Sequence, residues 1–165
     1  MKQIGVGIIG SGRMGRLRAN LASTSPEVSF LALSDQNIEN AKRLAEEVNA
    51  DFFSEDNEAV LNHPDVDAVI VSTPEFAHAD PVCRAIELGK PGLCEYPISL
   101  SFEDADKIIN CLHEHNGNLH IGYTQRVRRR FLNAKEQISQ GKLGELQTAR
   151  ATLYNIMSGG AEIYK

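Results

Sequence analysis

Three glycines open the chain's most informative segment, the run Gly10, Ser11, Gly12, Arg13, Met14, Gly15. At this spacing the first glycine admits a tight turn, the second lets backbone approach a phosphate, and the third lets a helix pack closely on a strand. Free N–H groups at the start of such a helix, together with its dipole, favour an anion. Asp35 lies twenty residues beyond Gly15. A carboxylate there accepts hydrogen bonds from ribose hydroxyls, and its charge repels an additional 2′-phosphate. The set therefore points to a dinucleotide held by its pyrophosphate, with NAD preferred to NADP. Three glycines in six residues also occur in ordinary turns, so the flanking pattern has to decide.

That pattern is the right one. Val6, Gly7, Ile8 and Ile9 form an apolar run before the glycines, and a second run covers residues 28–33 and leads to Asp35. Between them Met14, Leu17, Leu21 and Ala22 recur at helical spacing and predict a helix with those residues inward. Ile38, Ala41, Leu44, Ala45 and Val48 predict the next helix, residues 51–53 a short strand, residues 56–61 a short helix, and residues 66–71 a β-branched buried strand. Asp80 reads as an N-cap with Pro81 as the first helical residue, and that helix stops at Gly89. Residues 91–94 read as a strand. Ser101 and Asp104 resemble a capping box, followed by Phe102, Ala105, Ile108, Ile109 and Leu112 as an inward face. Residues 119–121 supply a sixth strand. Strands alternating with helices make this an α/β fold, a doubly wound parallel sheet covered on both faces, over about residues 1–122. Val127, Phe131, Ala134 and Ile138 then predict a further helix ended by Gly141, and residues 146–156 a strand belonging to a second unit, residues 123–165.

Composition narrows the partners. With 22 acidic against 17 basic residues and a net charge of −5, the 165-residue chain has no large positive field to draw nucleic acid or an anionic membrane. Cys83, Cys94 and Cys111 are odd in number and lack metal-site spacing, so they read as small core residues of a protein kept in a reducing cytoplasm. No apolar leader or membrane-length run is visible. His113 and His115 flank Glu114, but positions two apart on a helix diverge, and no metal is expected.

Further motifs follow in order: Ser34 with Asp35; Ser72, Thr73, Pro74 with His78; Glu87, Leu88, Gly89, Lys90, Pro91; Cys94, Glu95, Tyr96, Pro97; Gly122, Tyr123 with Arg126; and Gly141, Lys142, Leu143, Gly144. With the glycine run, this ordered series resembles the Gfo/Idh/MocA oxidoreductases, a family that includes glucose–fructose oxidoreductase and inositol 2-dehydrogenase. The resemblance extends from the first residues to about Thr152. It implies an N-terminal Rossmann domain followed by an open α/β sheet that shapes a sugar or polyol site. It further implies that Thr73 and Pro74 line the nicotinamide side of the crevice, where the alternative is a turn that needs proline. His78, four residues beyond, reaches the same crevice or is a polar surface residue ahead of a helix, and Glu95, after the fifth strand, is placed to contact the cofactor's ribose or carboxamide. By the same resemblance Arg126 is a cofactor-binding position, whereas Arg128, Arg129 and Arg130 read as a solvated helix face. Pro97 matches a proline that often follows a cis peptide bond.

Two departures stand out. At Glu95, Tyr96, Pro97 the family normally has a lysine in the middle position, which contacts both cofactor and substrate. A desolvated lysine can exchange a proton or hold a substrate oxygen. Tyr96 carries no positive charge, although its hydroxyl could donate a proton, and it is the candidate catalytic residue by position. The family also continues for well over a hundred residues, carrying an aspartate and a histidine used on the substrate. An end at Lys165 is therefore expected to be disordered, paired with another chain, or cut from a longer protein. The reading that follows is an NAD-dependent dehydrogenase, or its cofactor-binding part, acting on a secondary alcohol of a small sugar or polyol, with a homo-oligomer left open. Two others stand beside it: a non-catalytic NAD-binding module used for regulation or interaction, and a lone domain for another nucleotide.

Overall fold

The computed structural model describes residues 3–152. The chain divides into two units, Met1–Tyr123 and Thr124–Lys165. In the first, six strands alternate with five helices: β1 Ile4–Ile9, α1 Arg13–Ser23, β2 Val28–Ser34, α2 Ile38–Val48, β3 Phe52–Ser54, α3 Asn57–Leu61, β4 Ala68–Val71, α4 Ala79–Glu87, β5 Gly92–Cys94, α5 Phe102–His115 and β6 Leu119–Ile121. The strands pair in parallel throughout, in the order β3-β2-β1-β4-β5-β6. This is the doubly wound sheet that the alternation predicts.

Both faces are packed, for a reason visible in β1. Consecutive strand side chains point to opposite faces, so the fully buried neighbours Ile8 and Ile9 serve different cores. Ile8 joins Val6, Leu31, Leu33, Leu44 and Val48 under α1 and α2. Ile9 joins Val60, Val69, Val71, Val82, Ile86 and Ile108 under α3, α4 and α5. Each such side chain contributes about 1.5–3 kcal/mol on burial. All three cysteines are buried in the second of these cores. Burial pushes the Cys94 thiol up to about 12, with the neighbouring Glu95 carboxylate adding to the effect.

The helix ends follow the local chemistry. Asn37 Oδ1 accepts from Glu39 N at 3.1 Å, Asp56 Oδ1 from Glu58 N at 2.9 Å, and Ser101 Oγ from Asp104 N at 3.1 Å. These are N-caps that satisfy otherwise orphaned donors. Asn49 and Asn116 close α2 and α5 in the left-handed conformation. One expected start is displaced: α4 begins at Ala79, with His78 as N-cap, and Asp80 and Pro81 lie inside its first turn. Proline is tolerated there because the first intrahelical bond is made by Val82 N to His78 O.

Two helix faces differ from the periodicity. In α1 the buried residues are Gly15, Ala19 and Ala22, while Leu17 and Leu21 are about half exposed. The close approach of α1 to the sheet selects small residues over large ones. In α5 Ile108 and Cys111 are buried, whereas Ile109 is half exposed and Phe102 is 89% exposed.

The second unit holds a short turn over Thr124–Val127 and α6, Arg129–Ser139. Gly141 lies just past its end with φ +68°. Residues 146–152 form no strand; the remainder of the strand expected over 146–156 lies outside the described residues.

Candidate functional site

A cavity of about 340 Å³ opens at the carboxyl ends of β1, β2 and β4, lined by Gly10, Gly12, Asp35, Ser72, Thr73 and Pro74 among others. Its volume falls in the range of small-ligand pockets, roughly 300–1,000 Å³. The position follows from strand order, because β1 leads outward to β2 on one side while β4 lies on the other, and ligands of open α/β sheets bind at that switch point.

Each glycine of the loop answers to a different neighbour. Gly10 has φ +97°, and a Cβ on it would stand 2.7 Å from both Ser72 O and Thr73 N. Gly15 has no room for a side chain either, since its Cβ would meet Gly10 O at 1.8 Å. A Cβ on Gly12 would meet nothing within 4 Å. So the first and third glycines are demanded by the protein itself, while the second faces open space. Gly12 is also the N-cap of α1 and provides no side-chain hydrogen bond, unlike the capped ends of α2, α3 and α5. The first-turn N–H groups of Arg13, Met14 and Gly15 thus remain available.

Asp35 is tied back to this loop. Its Oδ2 accepts from Ser11 N at 2.9 Å, and its Oδ1 accepts from Asn37 N at 2.9 Å. Asn40 Nδ2 donates weakly to Oδ1 as well, at 3.5 Å; a carboxylate has about four acceptor positions, so capacity remains for a ribose hydroxyl, and for both of a diol once the long Asn40 contact gives way. Ser11 Oγ donates to Ser34 O at 3.2 Å, and Ser34 Oγ donates to Asn57 Oδ1 at 2.8 Å. Asn57 lines the cavity and is a residue the sequence reading missed. Ser72, part of a sequence motif that gave it no role of its own, also lines the cavity, and its buried Oγ has no hydrogen-bond partner among the described residues. A buried hydroxyl without a partner costs about 1–3 kcal/mol, and this one borders the cavity. Uncapped N–H groups, room above Gly12, a diol-capable carboxylate and an orphaned hydroxyl form a donor and acceptor set that fits a dinucleotide.

The loops after β4 and β5 form the other end of the site. Thr73 Oγ1 donates to Ala77 O at 3.0 Å, so its hydroxyl serves its own turn while its backbone lines the cavity. His78 is 1% exposed and lies outside that lining. Its Nδ1 stands 3.0 Å from Pro97 O and its Nε2 3.0 Å from Thr73 O. Both ring nitrogens face backbone carbonyls, and the one that carries the proton donates to its carbonyl, which sets His78 between two loops rather than turned into the crevice. The peptide between Tyr96 and Pro97 is cis.

Glu95 is buried, and the reason lies on another element. Arg18 Nε on α1 donates to Glu95 Oε1 at 2.6 Å, with both side chains largely buried. The Glu95 Oε2 atom lies where a Cβ on Gly122 would come within 2.8 Å, so Gly122 leaves room for the carboxylate. Sequence reasoning finds no cation near Tyr96, yet the fold brings Arg18 to its immediate neighbour across 77 residues. Arg18 Nη2 is buried without a partner among the described residues. A signal existed: Arg18 is one residue from Ala19 on the helix flank that buries Gly15 and Ala22, and a charge placed there requires a counter-charge.

Tyr96 and Tyr123 stack with centroids 5.6 Å apart and planes inclined by 27°. They are 52% and 48% exposed. Arg126 lies exposed in the turn of the second unit. Among the described residues no group of three His, Cys, Asp or Glu side chains could hold a metal ion, and no helix is long and apolar enough to cross a membrane.

The comparisons with known proteins agree with this geometry. The chain is 31% identical over 144 residues to the scyllo-inositol 2-dehydrogenase (NAD(+)) of Bacillus subtilis, a match covering 87% of this chain and 42% of that protein. It is 32% identical over 146 residues to the 2,7-anhydro-N-acetylneuraminate hydratase of Mediterraneibacter gnavus, covering 88% and 38%. The crystal structure of scyllo-inositol dehydrogenase from Lactobacillus casei with bound NAD(H) and scyllo-inositol superposes with a TM-score of 0.80 at 27% identity, over 87% of this chain and 43% of that one. The chain thus spans about two-fifths of the length of these relatives. Residues 4–123 match the Gfo/Idh/MocA oxidoreductase family, NAD-binding Rossmann fold, and the chain belongs to that family.

Proposed function

We propose that the described residues are the cofactor half of an NAD-dependent oxidoreductase acting on a secondary alcohol of a sugar or polyol. In this reading residues 10–15 and the first turn of α1 hold the pyrophosphate, and Asp35 holds the adenosine ribose. Thr73 and Pro74 border the nicotinamide. Glu95 and His78 keep the loops after β5 and β4 in place, and Tyr96 stands where the family carries its lysine. Residues 123–165 begin the substrate domain. When bound, the nicotinamide accepts or returns hydride at the alcohol carbon.

The observation that carries the proposal is the contrast within the glycine loop. Gly10 and Gly15 are fixed by protein atoms, whereas Gly12 faces open space beside the cavity that Asp35 lines. A structural turn would need the first two features and not the third.

The test is a titration of the 165-residue chain with NADH and NADPH, following nicotinamide fluorescence; the chain contains no tryptophan to interfere. Saturable binding with NADH favoured about tenfold or more is expected. In Asp35→Ala that preference should collapse to near parity, because the repelling charge is gone. Wild-type chain that binds neither nucleotide, or binds NADPH more tightly, would refute the assignment.

A further inference from the structure

Tyr96 and Tyr123 present a large exposed aromatic surface, yet nothing about their backbones is loose. On one side of Tyr96, Glu95 is held by the buried pair with Arg18, and Glu95 N donates to Val71 O at 3.0 Å. On the other side, Pro97 O faces His78 Nδ1 at 3.0 Å. Tyr123 is fixed in the same way: Gly122 N donates to Cys94 O at 2.8 Å and Tyr123 N to Ile121 O at 2.7 Å, with Gly122 packed against the Glu95 carboxylate. Neither phenol hydroxyl has a hydrogen-bond partner among the described residues, so the two rings are set by backbone anchors and by each other. An aromatic pair that is both rigid and half exposed offers a ring face to a flat partner at little cost in ordering.

Strand order says which partner. Asp35 follows β2, and Tyr96 follows β5, three strand positions away in the order β2-β1-β4-β5. At the usual spacing between neighbouring strands this separation is about 14 Å along the sheet edge. Between the two ends lie the glycine loop and the Thr73 turn. A dinucleotide with its adenosine ribose on Asp35 and its phosphates at α1 would extend toward the ends of β4 and β5, the side of the sheet edge on which the tyrosines stand.

We infer that Tyr96, stacked on Tyr123, is a ring-stacking residue for the nicotinamide end of the cofactor, and that its aromatic face rather than its hydroxyl is what this chain uses in place of the lysine. The inference rests on the NAD assignment above and gives a role to Tyr123, which the motif Gly122, Tyr123 with Arg126 includes without assigning one. A cation at this position would act by charge; a stacked phenol acts by fixing the plane of the ring it meets.

The experiment compares two ligands that differ only at that end, NADH and ADP-ribose, by calorimetric titration of the 165-residue chain and its Tyr96→Phe, Tyr96→Ala and Tyr123→Ala variants. Loss of a stacking face in other aromatic recognition sites costs on the order of tenfold or more in affinity. Tyr96→Ala is therefore expected to weaken NADH about tenfold and leave ADP-ribose within about twofold, with Tyr123→Ala following it more weakly. Tyr96→Phe, which keeps the ring, should bind NADH like the wild type. Equal weakening of both ligands by Tyr96→Ala would show a collapsed loop and overturn the inference, as would a Phe variant as weak as the Ala variant. Wild-type chain that binds ADP-ribose as tightly as NADH would overturn it while leaving the cofactor site intact. Binding of neither by the wild type would remove the cofactor assignment and the inference together.

Discussion

The two ends of the crevice are built by different means. The end beside β2 is local: the glycine loop, the start of α1 and Asp35 lie within residues 10–35, and Asp35 is bound back to Ser11 across 24 residues. The end beyond β4 is assembled from afar. Glu95 depends on Arg18, His78 stands between Thr73 and Pro97, and Tyr96 leans on Tyr123. A short motif can carry the first kind of site in its spacing. The second kind exists only once the sheet has brought β1, β4, β5 and β6 side by side.

Gly10 is where the two ends touch, and substituting it has the largest expected effect. Gly10→Val would force an L side chain into φ +97° and drive its Cβ into Ser72 O and Thr73 N. Left-handed strain costs about 1–2 kcal/mol, and the backbone shift adds about 1–3 kcal/mol. A loss of about 4 kcal/mol is a large share of a domain's stability. Urea unfolding followed by circular dichroism should show little folded variant, or a midpoint far below the wild type. A near-normal midpoint would mean that the β1 and β4 loops are not in contact as described.

Close to it in size is the long-range tie between Glu95 and Arg18. Glu95→Ala leaves Arg18 buried without its counter-charge, and breaking one side of such a pair costs about 3–5 kcal/mol. Removing both partners with Arg18→Met in the same chain should recover much of that loss, because the uncompensated charge goes with it. The recovery is the informative part. If the double variant is no more stable than Glu95→Ala alone, the pair is not the anchor of this loop.

How far the sequence carries follows from the same division. The six strands and the capped start of α5 are legible because a strand's period and a cap's hydrogen bond are decided within a few residues. The inward face of α1 is not. Met14, Leu17, Leu21 and Ala22 have the spacing of a buried stripe, but the helix stands so close to the backbone at Gly10 that Gly15 and Ala19 join Ala22 in the interior and the leucines turn outward. Periodicity reports which residues share a face and is silent on how near the neighbouring layer stands. His78 shows a related limit: its motif position suggests a group in the crevice, while its two carbonyl neighbours lie five and nineteen residues away and set it between two loops. Arg18 was readable in principle as a charge on a buried flank, but its partner was not.

The smallest stability effect should come from the glycine with the most functional meaning. Gly12→Ala adds a methyl group where nothing lies within 4 Å, at a residue with φ −72° that any L residue adopts. Glycine is favoured over alanine at an N-cap, and the exchange costs about 0.5–1 kcal/mol. The added methyl occupies the space above the uncapped first turn of α1, so NADH affinity should fall at least about tenfold while the urea midpoint moves only slightly. Gly10→Val and Gly12→Ala, two residues apart in one motif, would then separate cleanly: one governs whether the domain folds, the other whether it binds. Equal affinity in wild type and Gly12→Ala would place the phosphates elsewhere, and the open space above Gly12 would lose its meaning.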